Sequence, residues 1–174
     1  MYKKMITPIK ALALATVCLV GLSTAAMSEE DHHYGAHKGH DWEFGVSVGY
    51  VDLKTEGEEG TMLDFHIMKE LDGDGLEKYF SVGVGAEVVF SHDNHYVAMV
   101  ILAYHPTENI VLSVAPGFEW AKHDGETERE YVTHYEAVYN LDISEEYHIG
   151  PMIGYSKTKE AEDYTVGIHI GIPF

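Results

Sequence analysis

Asp64 and His66 stand two residues apart in "LDFHI", and His134 and Glu136 repeat that spacing in "THYEA". Glu87, Glu119 and His169 each sit among apolar or small residues. A spacing of two puts both side chains on one face of a β-strand. Imidazole nitrogen and carboxylate oxygen together make a donor set for zinc and other divalent first-row ions. A second group, His32, His33, His37 and His40, lies in "DHHYGAHKGHD". Histidine-rich tracts of this kind are weak, adaptable metal ligands. The same composition also serves as a soluble linker.

The elements that must position these groups begin after residue 40. Residues 1–28 read as a cleaved signal peptide: Lys3, Lys4 and Lys10, then "ALALATVCLVGL", then small residues around Ala26 and Ser28. The apolar run is too short for a transmembrane helix. Residues 29–40 read as a flexible His- and acid-rich tail, and residues 41–174 as one domain. The single cysteine, Cys18, falls in the leader, so the remaining chain has neither disulfide nor thiolate chemistry. Removing the leader takes three of the 11 basic residues and none of the 29 acidic ones, leaving a formal charge of −21. Such a field repels nucleic acid and attracts cations.

From Asp41 onward, eight segments alternate apolar with small or polar residues: "DWEFGVSVGYV", "TMLDFHIMKEL", "KYFSVGVGAEVVF", "HYVAMVILAYH", "NIVLSVAPGFEWA", "EYVTHYEAVYNL", "EYHIGPMIGYS" and "DYTVGIHIGIPF". A period of two predicts strands. Each exceeds the usual globular strand and suits a tilted membrane-spanning one. One face carries residues such as Val82, Val84, Ala86 and Val88; the other carries Ser81, Gly83, Gly85 and Glu87. Glycine weakens a solvent-facing strand surface, but small residues suit the narrow bore of an eight-stranded barrel. Aromatic residues sit at strand ends on the apolar face: Trp42 and Tyr50, Phe80 and Phe90, Tyr96 and Tyr104, Tyr147 and Tyr155. Two aromatic girdles around an aliphatic band mark a bilayer. The expectation is an all-β, eight-stranded antiparallel up-and-down transmembrane β-barrel, closed because lipid cannot satisfy a free edge.

These strands, the girdles, the leader and the terminal "YTVGIHIGIPF" resemble the small eight-stranded outer-membrane barrels of Gram-negative bacteria, the superfamily of the outer-membrane protein A and X barrels. The resemblance spans about residues 41–174. It implies export to the outer membrane, contact with membrane lipid, and recognition by the barrel assembly machinery through a last strand ending at Phe174. It implies short periplasmic turns at "DGDGLE", "PTE" and "DISE". Two departures stand out. Pro116 and Pro151 interrupt strands, where bulges are expected. The fourth strand is apolar on both faces, so Val97, Met99, Ile101 and Ala103 should form an apolar wall inside.

Related barrels generally pair interior acids with Arg and Lys. Here no Lys or Arg occupies a central inward position. Unpaired buried carboxylates are costly. Protonation, pairing with protonated histidine, or a metal ion such as zinc would relieve them. Counting along the strands groups Asp64, His66, Glu87, Glu119, His134, Glu136 and His169 near mid-barrel or above. It places Glu43, Glu70 and His148 closer to the periplasm. His92, His95, His105 and His123 read as surface loop residues.

Two functions stay open: a barrel that binds or senses divalent cations, and a structural or interaction barrel whose histidines and carboxylates are only a polar plug. A lipid-modifying enzyme is disfavoured. The eight-stranded lipid A deacylases carry a His-x-Ser arrangement facing the bilayer, whereas His134 here is followed by Tyr135 and Glu136. No catalytic residue is therefore assigned. An open pore is disfavoured because eight strands leave no aqueous channel.

Overall fold

Alternating sequence forms strands here because each places its β-branched and aromatic residues on one side and its small and polar residues on the other. The computed structural model describes residues 41–174 except 55–56, 74, 124–125 and 145. The strands are β1 (Trp42–Leu53), β2 (Glu58–Glu70), β3 (Phe80–Phe90), β4 (His95–Thr107), β5 (Ile110–His123), β6 (Glu126–Tyr139), β7 (Leu141–Ser144), β8 (Tyr147–Lys157) and β9 (Glu162–Pro173). A 3₁₀ turn, Glu77–Tyr79, leads into β3.

All pairings are antiparallel, and apart from β6 and β7 every neighbour in sequence is a neighbour in the sheet. β1 pairs with both β2 and β9, and β6 pairs with both β5 and β8. The sheet is thus closed. β6 and β7 are two parts of one barrel strand: Val138 opposes Met152 and Leu141 opposes Ile149 in the same register on β8. The barrel has eight strands, as the alternation predicts. The interruption falls at Asn140, whose N–H donates to Asn109 O at 2.7 Å while Asn109 Nδ2 donates to Asn140 O at 2.9 Å.

The faces are as the sequence predicts. Val84 and Val100 are each 60% exposed on the outside, although both lie mid-strand in an apolar run. An apolar outer surface of this extent is what a bilayer-spanning barrel presents. The rings of Tyr155 and Tyr164 lie 5.3 Å apart, tilted, at one end, and those of Phe80 and Tyr104 lie 5.2 Å apart, tilted, at the other. Phe65 departs from the girdle pattern, lying mid-strand on the outer face. Inside, Val97, Met99, Ile101 and Ala103 are buried as the expected apolar wall, with Met62, Val132, Val138 and Met152.

The two prolines do not produce the expected bulges. Between β4 and β5, Met99 opposes Gly117 and Leu102 opposes Val114, so register is unchanged on either side of Pro116. The β8–β9 ladder runs through Pro151 without a shift. A missing donor removes one hydrogen bond but adds no residue, and both rings point outward. The register shifts lie instead between Tyr104 and Thr107 and between Asp142 and Ser144.

Candidate metal centre

Four adjacent strands build the centre. One row of the sheet runs His66 (β2), Gly45 (β1), Gly171 (β9), His148 (β8). The next row runs Asp64, Ser47, His169, Gly150. The two central glycines of the first row make the arrangement possible. A Cβ on Gly45 would lie 2.0 Å from His66 Nε2, and one on Gly171 would lie 2.1 Å from His148 Nε2. The flanking imidazoles occupy the space that side chains at 45 and 171 would fill. His66 and His169 lie parallel with ring centroids 5.2 Å apart, and His148 lies 5.4 Å from His169.

Glu43 reaches into this group from the start of β1. Its Oε1 lies 3.9 Å from His66 Nε2 and 3.7 Å from His169 Nε2, while its Oε2 lies 3.7 Å from His148 Nε2. One donor atom from each of Glu43, His66 and His169 falls within 4.8 Å of the other two, and all three residues are buried. Behind them stand two orienting groups. His66 Nδ1 is 2.8 Å from Asp64 Oδ1, and His169 Nδ1 is 3.1 Å from Ser47 Oγ. An ionised carboxylate only accepts, so His66 Nδ1 donates, and a neutral ring would then turn the lone pair of Nε2 inward. His66 Nε2 is buried and makes no hydrogen bond among the described residues. A carboxylate behind a histidine, with the other nitrogen presented as a donor, is the usual outer shell of a metal ligand.

The sequence-predicted residues are divided among three places. His66 and His169 converge on Glu43, with Asp64 directly behind. Glu87 Oε2 lies 3.9 Å from His134 Nδ1, and Glu119 is paired with His95 Nδ1. Glu136 lines the cavity that also meets Glu43, Asp64, His66, Glu87, His134 and His169, and this cavity has about 50 Å³ of space open to water. The tail residues His32, His33, His37 and His40 lie outside the described residues, as do residues 1–28, for which a leader is expected.

Sequence reasoning left out Glu43 and His148 because counting along a strand treats height as independent of the neighbours. Barrel strands tilt and stagger, and a long side chain reaches a diagonal neighbour. Gly45 and Gly171 were the available signal, since two inward glycines side by side leave room for something large. His95 and His105 also differ from expectation. Both are buried, because β4 extends past His105 and its odd-numbered residues from His95 to His105 face inward. His105 Nε2 lies 2.7 Å from Ser81 Oγ.

No family model matches the chain, and no curated protein matches it. Solved structures do. Neisserial surface protein A aligns with a TM-score of 0.56 at 6% identity, over 76% of this chain and 96% of that one. Ail, the attachment invasion locus protein of Yersinia pestis, aligns at 0.51 and 16% identity, over 77% and 99%. The N-terminal β-barrel domain of Pseudomonas aeruginosa OprF aligns at 0.52 and 8% identity, over 78% and 98%. At such identities the likeness speaks for the fold. The interior was read from this chain's own residues, and the closed sheet around it is that of the small eight-stranded outer-membrane barrels.

Proposed function

We propose that this chain is an outer-membrane barrel protein that binds a divalent cation inside the barrel, as a binding or sensing protein rather than an enzyme. The observation that carries the reading is the convergence of Glu43, His66 and His169, backed by Asp64 and Ser47, in a bore where the inward-facing described residues bring no Lys or Arg to the acids. Two nitrogens and one oxygen favour zinc and neighbouring first-row ions over calcium or magnesium, which prefer all-oxygen shells. In this reading residues 1–28 direct export, the histidines of residues 29–40 collect cations beside the membrane, and β9, ending by Phe174, is the strand the barrel assembly machinery takes up. The outer apolar face meets outer-membrane lipid.

A second reading, a ligand-free structural barrel, draws support from a different feature. Glu43, Glu87 and Glu119 each have a histidine nearby, so the interior can neutralise itself by protonating imidazole. Metal analysis of untagged protein from native membranes, followed by zinc titration of protein with His32, His33, His37 and His40 replaced by Ala, separates the two. One tightly held equivalent, lost in His66→Gln, supports the metal reading. No binding tighter than about micromolar, roughly −8 kcal/mol, leaves the structural barrel.

A further inference from the structure

We infer that the ion held by Glu43, His66 and His169 keeps one coordination position open to the barrel cavity for a small exchangeable ligand such as water or hydroxide, and that His148 positions Glu43 rather than serving as a fourth ligand. This rests on the metal reading above and goes beyond it by assigning the kind of site.

Four facts lead there. First, the converging donors are Glu43 Oε1, His66 Nε2 and His169 Nε2, with the carboxylate oxygen 3.9 and 3.7 Å from the two nitrogens. Zinc bonds of about 2.0–2.1 Å in a tetrahedron place donors about 3.4 Å apart. The carboxylate oxygen needs to close on the two nitrogens by about 0.3–0.5 Å, and all three donors already lie within 4.8 Å of one another. Second, His148 approaches the other carboxylate oxygen, Oε2, at 3.7 Å, and no atom of it belongs to the converging group. At that distance His148 is in ion-pair range of Oε2 without a hydrogen bond to it, and a protonated ring there would bias Glu43 to one-oxygen coordination through Oε1. Third, His148 is fully buried, and its ring fills the space over Gly171. Close packing restricts its movement toward Oε1. Fourth, all three ligand residues border the cavity of about 50 Å³, together with Glu87, Glu136 and the buried Asn140. Roughly 10–15 Å³ of such space admits one water, so the cavity has room for an exchangeable ligand and its neighbours. The acidic rim favours water or hydroxide over a larger anion.

Three protein ligands with an open fourth position describe an exchange-competent site, whereas four describe a closed structural one. The difference is measurable. The full chain carrying Ala at positions 32, 33, 37 and 40 is loaded with one equivalent of Cu(II) as probe. Pulsed electron paramagnetic resonance then counts coordinated imidazoles and detects exchangeable deuterons in D₂O, with circular dichroism confirming the folded barrel. The expected spectrum shows two imidazoles and a coordinated exchangeable water. His66→Gln lowers the count to one. His148→Gln keeps two imidazoles while weakening binding about ten- to a hundredfold, the range for outer-shell partners. Three imidazoles without exchangeable water, falling to two in His148→Gln, would overturn the open site while sparing the metal reading. Absence of stoichiometric Cu(II), or Cu(II) without imidazole coupling, overturns the metal reading itself and this inference with it.

Discussion

The inward face of β4 carries Val97, Met99, Ile101 and Ala103, while the inward face of β1 carries Glu43, Gly45, Ser47 and Gly49 before it too turns apolar at Val51 and Leu53. Both strands alternate with the same period and both pair on two sides. On β4 the side chains fill their own share of the bore with apolar bulk. On β1 and its neighbour β9, Gly45 and Gly171 cede their share to the imidazoles of His66 (β2) and His148 (β8), so polar groups from different strands meet. The same backbone supplies a packed wall in one place and a cluster of histidines and a carboxylate in another. Inward side-chain volume and polarity make the difference.

That contrast can be broken from either side. Removing bulk from the wall should cost stability and leave the cluster intact: Ile101→Ala is expected to destabilise the barrel by about 2–5 kcal/mol in denaturant titration in lipid vesicles, with metal affinity unchanged. A metal affinity that falls in parallel would show that wall and cluster are one unit. Outside, Val84→Arg tests whether the apolar band faces lipid. A cost of about 2–4 kcal/mol is expected at mid-bilayer, and a neutral result would argue for a water-facing surface. Adding bulk to the cluster should do the reverse of Ile101→Ala. Gly45→Ala drives a methyl into the His66 ring, so metal binding should be lost along with about 1–3 kcal/mol of stability. Retained binding would mean that His66 is not a ligand. The mildest change, Asp64→Asn, keeps an acceptor for His66 but removes its charge. Metal affinity should fall about ten- to a hundredfold, as read by calorimetry, and stability without metal should change far less. Lowering pH should weaken binding of the ion further, because both histidine ligands must be neutral to coordinate.

Much of the barrel was legible from period-two alternation alone, and so was the orientation of nearly every strand. The apolar wall of β4 was legible for the same reason. The prolines were misread because their lost donors suggested bulges, whereas a strand can drop a hydrogen bond without gaining a residue, as Pro116 and Pro151 do. His95 and His105 were misread because they flank loop-like sequence, although their odd numbers already placed them with Val97 and Met99. Of the cluster proposed as a site, His66, His169 and Asp64 were among the residues picked out from composition and face. Glu43 and His148 were not, since nothing local to "WEFGV" or "YHIGP" says that the two segments face the same space.

The order of strands, the inside and outside of each, and an interior with acids and histidines but no central base were therefore determined by the sequence itself, through alternation and composition that act locally. Which of those inward groups meet was decided only by closure of the sheet. Closure sets the stagger between strands, brings Gly45 beside Gly171, and lets Glu43 reach His66, His148 and His169 from three other strands. Pairing of β1 with β9 joins residues more than a hundred positions apart. A contact of that kind depends on register around the whole barrel, which no single strand encodes.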